Sequence, residues 1–495
     1  MTDHALRLLR QNPRLAELAA FPFNFDLARA AHGHVEEVRL ASGGPLEVVA
    51  GDDTGGTYFV CADGSVLYAD SEGGAGIIGS GVDEALEIMI GLAEGGEDEE
   101  SAGDEEEFHQ RPGLDEARAE LRAALGFPER STAELEAMRQ AALLRTEPDF
   151  VLLNADEGCA YEVLGPPGPP LWEPVLATGR ADLALLRAGD RAVWDAVAED
   201  PVRRRLALRA AQFDRAEGDL EVLRHLLRHE AKSSMTDELR LAAVLVGLRG
   251  QVADLPLLYE VRETTYDTWC GLGGMPEPGA SADALREWAK ELDESLFGTD
   301  PADEPVDTWT GLARDQGMTE LARVALIRRL DEFAMDQSRL RRPDAPRELT
   351  TAPLRALAHD FEGLGDRIQA LRAQRLYASL REGAKNRAVA RLDQARLERA
   401  VGQLPQAVRT LAALRENLAT SEDDSLRNWQ CGSLGRFMAK EHYRLTRALA
   451  DAGQPEEART LLTAADAILG ELPEDAAKTV SELAEEAVAR VRDVS

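Results

Sequence analysis

From Val202 to Val261 the apolar residues fall at helical spacing four times in succession. The runs are Val202, Leu206, Ala210 and Phe213; Leu220, Leu223 and Leu227; Leu239, Ala242, Ala243 and Val246; and Leu255, Leu258 and Val261. Turn signals separate them: Glu217-Gly218-Asp219, a serine-rich turn, and Arg249-Gly250-Gln251. The pattern predicts two helical hairpins in tandem. A helix with one apolar stripe has to bury it against a neighbour, so the chain is constrained to stack helices.

A literal repeat extends this reading. Asp267-Thr268-Trp269-Cys270-Gly271-Leu272 recurs forty residues later as Asp307-Thr308-Trp309-Thr310-Gly311-Leu312. That period resembles HEAT and armadillo arrays, and it implies that Trp269 and Trp309 occupy equivalent places. Further on, Gly402-Gln403 with Ala407 and Leu411 is echoed by Gly453-Gln454 with Ala458 and Leu462. Both phrases resemble the inter-helix turn and second helix of a tetratricopeptide unit, although Thr446 stands where that pattern has a small residue and the copies lie 51 residues apart.

The first hundred residues are different in kind. Leu46 to Ala50, Thr57 to Cys61 and Ser65 to Tyr68 read as strands, joined by the turns Gly51-Asp52-Asp53-Thr54-Gly55-Gly56 and Asp63-Gly64. Glycine-rich residues 73–81 come next, and after them Val82 to Leu92 reads as a helix with Val82, Leu86, Met89 and Ile90 on one face. Between Glu94 and Glu107, nine of fourteen residues are acidic, a composition that cannot build a core and predicts a linker. Two helices and a short strand-like piece at Phe150 to Leu153 follow, then a break at Gly165 to Pro170.

The fold expected is therefore an α+β module with an antiparallel sheet and packed helices, followed by a mostly α-helical, solenoid-like repeat region. The segments expected are the module at 1–95, an acidic linker at 94–112, a helical connector at 113–170, HEAT-like repeats at 171–345 and tetratricopeptide-like hairpins at 346–495.

Charge and cysteine usage narrow the function classes. A net charge of −34 repels a phosphate backbone at every face without a basic patch, so direct nucleic-acid binding is not expected. It would equally steer a partner with a basic face. No uninterrupted apolar segment long enough for a signal peptide or a membrane span occurs, so a cytoplasmic protein is expected. Cys61, Cys159, Cys270 and Cys431 lie too far apart for metal-ligand spacing and read as reduced, mostly buried thiols. Arginine dominates over five lysines, which suggests a high-GC bacterial genome.

Three constellations call for chemical scrutiny. Gly74-Ala75-Gly76-Ile77-Ile78-Gly79 satisfies G-x-G-x-x-G, but polar residues separate it from the preceding strand and no second parallel strand follows the helix, so a dinucleotide site is not expected. His225 and His229 share a helical face without a third ligand, which fits an exposed repeat-helix surface better than a metal site. Asp52, Asp53, Asp70 and Glu72 form the densest carboxylate group of the β region, and turn formation accounts for it. Neither a catalytic constellation nor a cofactor or metal site is expected.

The stretch Val48 to Phe59, containing Gly51-Asp52-Asp53-Thr54-Gly55-Gly56, with Gly64 to Tyr68, Asp70 to Gly73 and the Asp83-Glu84-Ala85-Leu86 helix, resembles the SUKH superfamily across residues 10–95. The resemblance implies a small α+β binding domain without catalytic residues, of which many bacterial examples are immunity proteins that neutralise toxins. It also implies that the glycine-rich phrase belongs to the loop before the last helix. The expected activity is stoichiometric protein binding, with a basic toxin domain as one partner, or alternatively a helical scaffold or adaptor role. Candidate contact residues are Asp52, Asp53, Thr54, Gly55, Gly56, Tyr58, Asp70 and Glu72 in the module, with Trp269 and Trp309 in the repeats.

Overall fold

A computed structural model describes residues 4–93, 113–340 and 352–494. The expected acidic linker lies outside the described residues. Helices make up 66% of the chain, the sheet is confined to the N-terminal part, and the chain divides into two compact units, Met1–Ala325 and Leu326–Ser495.

The first unit opens on helices His4–Gln11 and Pro13–Ala20, the second capped by the Asn12 side chain, which accepts from the amides of Arg14 and Leu15. Seven strands follow: β1 (Val38–Leu40), β2 (Leu46–Gly51), β3 (Thr57–Cys61), β4 (Val66–Ala69), β5 (Gly74–Gly79), β6 (Leu152–Asn154) and β7 (Glu162–Val163). Strands β2 to β4 form the expected antiparallel meander, and β5 extends it. β7 joins β5 in parallel, while β1 pairs with β6 as a separate ribbon.

Both faces of the sheet are covered. Tyr58 and Val66 pack with Val82, Leu86 and Ile90 of the helix Val82–Leu92 and with Leu121 of the helix Leu114–Leu125. Phe59, Leu67 and Ile77 pack on the other side with Leu40, Ala142, Leu152 and Tyr161. Strand β3 therefore reads as a nearly unbroken buried run where a half-exposed strand would alternate.

The boundary expected at residue 95 is corrected by this pairing. Residues 113–170 are not a connector, because they contribute two helices, β6 and β7 to the module. The strand-like piece at Phe150 to Leu153 becomes β6, but neither its pairing with β1 nor the two-residue β7 is marked by a local pattern in the sequence. A second correction concerns the glycines: Gly74, Gly76 and Gly79 stand inside β5, not in a loop before the helix. A Cβ at Gly79 would lie 2.6 Å from the Ala85 backbone nitrogen, and one at Gly74 2.9 Å from the Leu164 side chain. These glycines serve close packing.

Beyond the module the expected helices form: Pro201–Phe213, Leu220–Glu230, Asp237–Gly247 and Leu255–Arg262 share one core with Leu186, Trp194 and Trp288. Two buried aspartates mark equivalent joints. Asp219 and Asp254 each end a short 3-10 turn that leads directly into a helix, at Leu220 and Leu255. Each is paired with an arginine from earlier in the chain, Arg187 at 2.8 Å and Arg224 at 2.6 Å. The arrangement is repeat-like, with a spacing of 35 residues between the aspartates.

The hexapeptide repeat divides differently. Trp269 lies in the helix Tyr266–Gly271 and Trp309 in the helix Val306–Asp315, each at the fourth position. Their packing is not matched. Trp309 is 3% exposed, donates from Nε1 to Pro301 O at 3.0 Å and faces Phe213, whereas Trp269 is 51% exposed.

The second unit is built from long helices, among them Arg367–Leu380, Ala384–Ala400, Leu404–Thr420, Ser433–Asp451 and Pro455–Glu471. Both Gly402 and Gly453 adopt positive φ, and the following Gln403 and Gln454 amides donate back to Glu398 O and Leu449 O. The same turn occurs at Gly365-Asp366, whose amide donates to Phe361 O. Among the described residues, no helix is long and apolar enough to cross a membrane. The thiols depart from expectation: Cys61 is buried, Cys159 half-buried, and Cys270 and Cys431 are exposed.

Candidate protein-binding face

Two turns of one design sit side by side at an end of the sheet. In the turn from β2 to β3, Asp52 Oδ1 accepts from the amides of Thr54 (2.9 Å) and Gly56 (2.7 Å) and from the Thr54 hydroxyl, while its own amide donates to Gly56 O. Asp70 repeats this between β4 and β5, with Oδ1 accepting from the amides of Glu72 and Gly74 at 2.8 Å each and the same backbone closure. Gly55 and Gly73 take the positive φ that each turn requires, and a Cβ at Gly56 or Gly74 would stand 2.4 Å from its aspartate carboxylate. The phrase D-x-x-G-G thus appears twice for one physical reason.

This geometry corrects the expected roles of several residues. Asp52 is 5% exposed, and its Oδ2 also accepts from the Tyr68 hydroxyl at 2.6 Å. Burial opposes its charge, but the Tyr68 hydroxyl and the Gly56 and Thr54 donors outweigh this and hold the carboxyl below its ordinary range. Asp52 and the half-buried Asp70 hold the turns. Gly56 and Tyr58 are buried as well, Tyr58 between the rings of Phe25 and Tyr68. In the helical region Trp309 is core. Asp53, Thr54, Glu72 and Trp269 are exposed, and Gly55 is partly so.

The two turns meet a third segment. Gly55 lies where a Cβ would be 3.5 Å from Ser71 Cβ and 3.6 Å from Val35 Cγ1, so the three loops form one continuous surface. Val35 is 63% exposed at its centre, and the exposed carboxylates of Glu36, Glu37, Asp53 and Glu72 lie on the same loops.

Behind that surface runs a polar chain that the sequence did not reveal. His34 Nδ1 lies 3.0 Å from the Thr57 hydroxyl and Nε2 lies 3.0 Å from the Tyr161 hydroxyl. Tyr161 donates to Glu36, which also accepts from Asn154 Nδ2 at 2.7 Å. Because the Tyr161 proton goes to Glu36, the network assigns the His34 proton to Nε2. Burial pushes His34 below the usual imidazole value, against the pull of Glu36, Asp70 and Asp52. The chain ties β6, β3 and the 33–37 loop together, and it joins His34 and Glu36 to Tyr161 and Asn154, more than a hundred residues away.

Replacing Asp52 with alanine removes the carboxylate that organises the first turn and takes that acceptor from the Gly56 and Thr54 amides and the Tyr68 hydroxyl. The expected loss is about 2 kcal/mol of stability, against a near-neutral result for Asp53→Ala, read from thermal unfolding. Equal effects of the two would refute the assignment of Asp52 as the turn's organiser.

The expected exposed pair His225 and His229 is half-buried, with ring centroids 4.8 Å apart and His225 Nε2 3.3 Å from Asp195. On the helical region, Trp269 stacks on the exposed ring of Tyr266 with an interplanar angle of 19°, and the Arg262 guanidinium lies 5.5 Å from the Trp269 ring centroid. Models of known protein families, curated proteins and solved structures were all compared with this chain, and none matches it.

Proposed function

We propose that the protein acts by stoichiometric binding, presenting the Val35 surface of its N-terminal module to a protein with a basic face. The observation that carries this reading is an exposed apolar residue set among exposed carboxylates, on three loops that the Asp52 and Asp70 turns and the His34 chain hold rigid. Apolar contact at the centre supplies affinity, and the acidic rim speeds encounter with a basic surface. The module is proposed as a SUKH-like recognition domain, and a toxin domain that acts on nucleic acid is the class of basic partner it suits. The helical region is proposed as a solenoid-like continuation, and the setting as the cytoplasm of a bacterium.

A second reading is favoured by the stacked Tyr266 and Trp269. Exposed aromatic residues beside an arginine are the side chains that dominate protein interfaces, so the helical region would be the working surface of a scaffold.

The test uses Asp53→Lys, Glu72→Lys and Glu37→Lys together, because these side chains are exposed and hold no turn. The full chain and the triple variant serve as baits in the native host, with mass spectrometry of what each retains. Loss of one abundant basic protein from the variant, with at least about tenfold weaker and salt-sensitive association on reconstitution, is the expected result. Retention of the same partner with equal affinity rejects the module surface, and its loss on Trp269→Ala instead supports the scaffold.

A further inference from the structure

The second unit contains a cleft of about 410 Å³ between the helices Arg367–Leu380, Ala384–Ala400 and Leu404–Thr420. Arg375, Arg391, Arg409, Ser379, Gln394 and Thr410 line it, with two small alanines. Three arginines thus line one cleft in a chain whose net charge is −34.

Their local balance is not neutral. Glu398, 2% exposed, is the carboxylate bonded to this group, and it is already saturated: it accepts from Arg375 Nη2 at 3.1 Å, Gln394 Nε2 at 2.9 Å and the Thr410 hydroxyl at 2.7 Å. Arg391 and Arg409 make no ion pair or hydrogen bond among the described residues. Other arginines of this unit do find carboxylates, as Arg396 with Glu362 and Arg399 with Glu441. Two of the arginines lining the cleft therefore have guanidinium donors that no protein group uses.

The remaining chemistry selects the ligand. The Ser379 hydroxyl donates to Leu376 O and the Thr410 hydroxyl to Glu398, so the free donors in the cleft are guanidinium N–H groups and the second amide hydrogen of Gln394. Planar forks of this kind match the oxygens of a phosphate, which a point charge would hold less specifically. No aromatic ring lines the cleft, so nothing there would stack a nucleobase.

We propose that this cleft binds the phosphate group of a small, non-aromatic phosphate monoester, with Arg391 and Arg409 as the two clamps and Arg375 behind them. The site lies in the second unit and is independent of the protein-binding face proposed for the first.

Titration calorimetry of the full chain tests it, with inorganic phosphate, a hexose monophosphate and a nucleoside monophosphate at constant ionic strength. The expected result is one saturable site per chain, tighter for the hexose phosphate than for inorganic phosphate. Arg391→Gln with Arg409→Gln should weaken it by at least about tenfold while circular dichroism and thermal midpoint stay unchanged, since neither side chain has a protein partner. Absence of saturable heat, or equal affinity in the double variant, would overturn the site and leave the arginines as counter-charge in an acidic chain. Tighter binding of the nucleoside phosphate than of the hexose phosphate would overturn the ligand class.

Discussion

Glu230→Ala is expected to destabilise the first unit by about 3 to 5 kcal/mol, because it strands a buried charge. Glu230 ends the helix Leu220–Glu230 with 0% exposure. It accepts from Arg204 Nε at 2.6 Å, Arg205 Nε at 2.9 Å and the Thr236 hydroxyl at 3.0 Å. Arg204 is itself buried and otherwise reaches only the Ala198 carbonyl. Removing the carboxylate leaves a guanidinium in a low-dielectric core without its counter-ion, which costs far more than the pair contributes over an apolar substitute. Replacing Arg204 and Glu230 together by methionine and leucine should accordingly recover most of the loss. Five of the six tryptophans lie in the first unit, so denaturant unfolding followed by tryptophan fluorescence reads it directly. A loss below 1 kcal/mol in the alanine variant would contradict this account of the core.

The second unit is expected to lose stability as pH falls from neutrality, through His442. This residue is fully buried in the helix Ser433–Asp451, Nδ1 donates to Met438 O at 2.8 Å, and Nε2 has no partner. Burial pushes its imidazole down to about 4; the Met438 carbonyl opposes this, and Arg415 adds to it. The sign follows from linkage. Below the unfolded value of about 6.5 the unfolded chain takes up a proton that the native state refuses until about pH 4. Stability contributed by the neutral ring is thus present above that range and is lost across it, to a total of roughly 3 kcal/mol. His442→Met removes the titration. The difference in stability between wild type and variant should therefore shrink by that amount between neutral pH and about pH 4, followed through Trp429, the one tryptophan of the unit. A pH-independent difference would mean that the ring takes up its proton as readily in the native state as in the unfolded chain, and that burial does not depress it.

Much of the fold was legible along the chain because its causes are local. The stripes from Val202 to Val261 make the helices they predict, the Asp and Gly residues of 51–56 make a turn between strands, and Gly402 and Gly453 end helices in the same way. The SUKH-like phrase was read from residues that the structure assigns to tight turns and close packing.

What the sequence could not express is which groups approach from far along the chain. Asp52 looked like a surface carboxylate until Tyr68 covered it, and β7 completes the sheet with two residues that carry no strand signal. His34 gains its polar chain from Tyr161 and Asn154, over a hundred residues away. The hexapeptides at 267–272 and 307–312 make the distinction clearest. Their shared residues determine the same local helix and the same place for the tryptophan within it. Burial was decided by tertiary structure alone: Phe213 and the Pro301 carbonyl close over Trp309, while Tyr266 and Arg262 from its own neighbourhood lie against Trp269 and leave it half exposed. Backbone preference acts within a few residues, whereas exposure depends on what the rest of the chain brings alongside.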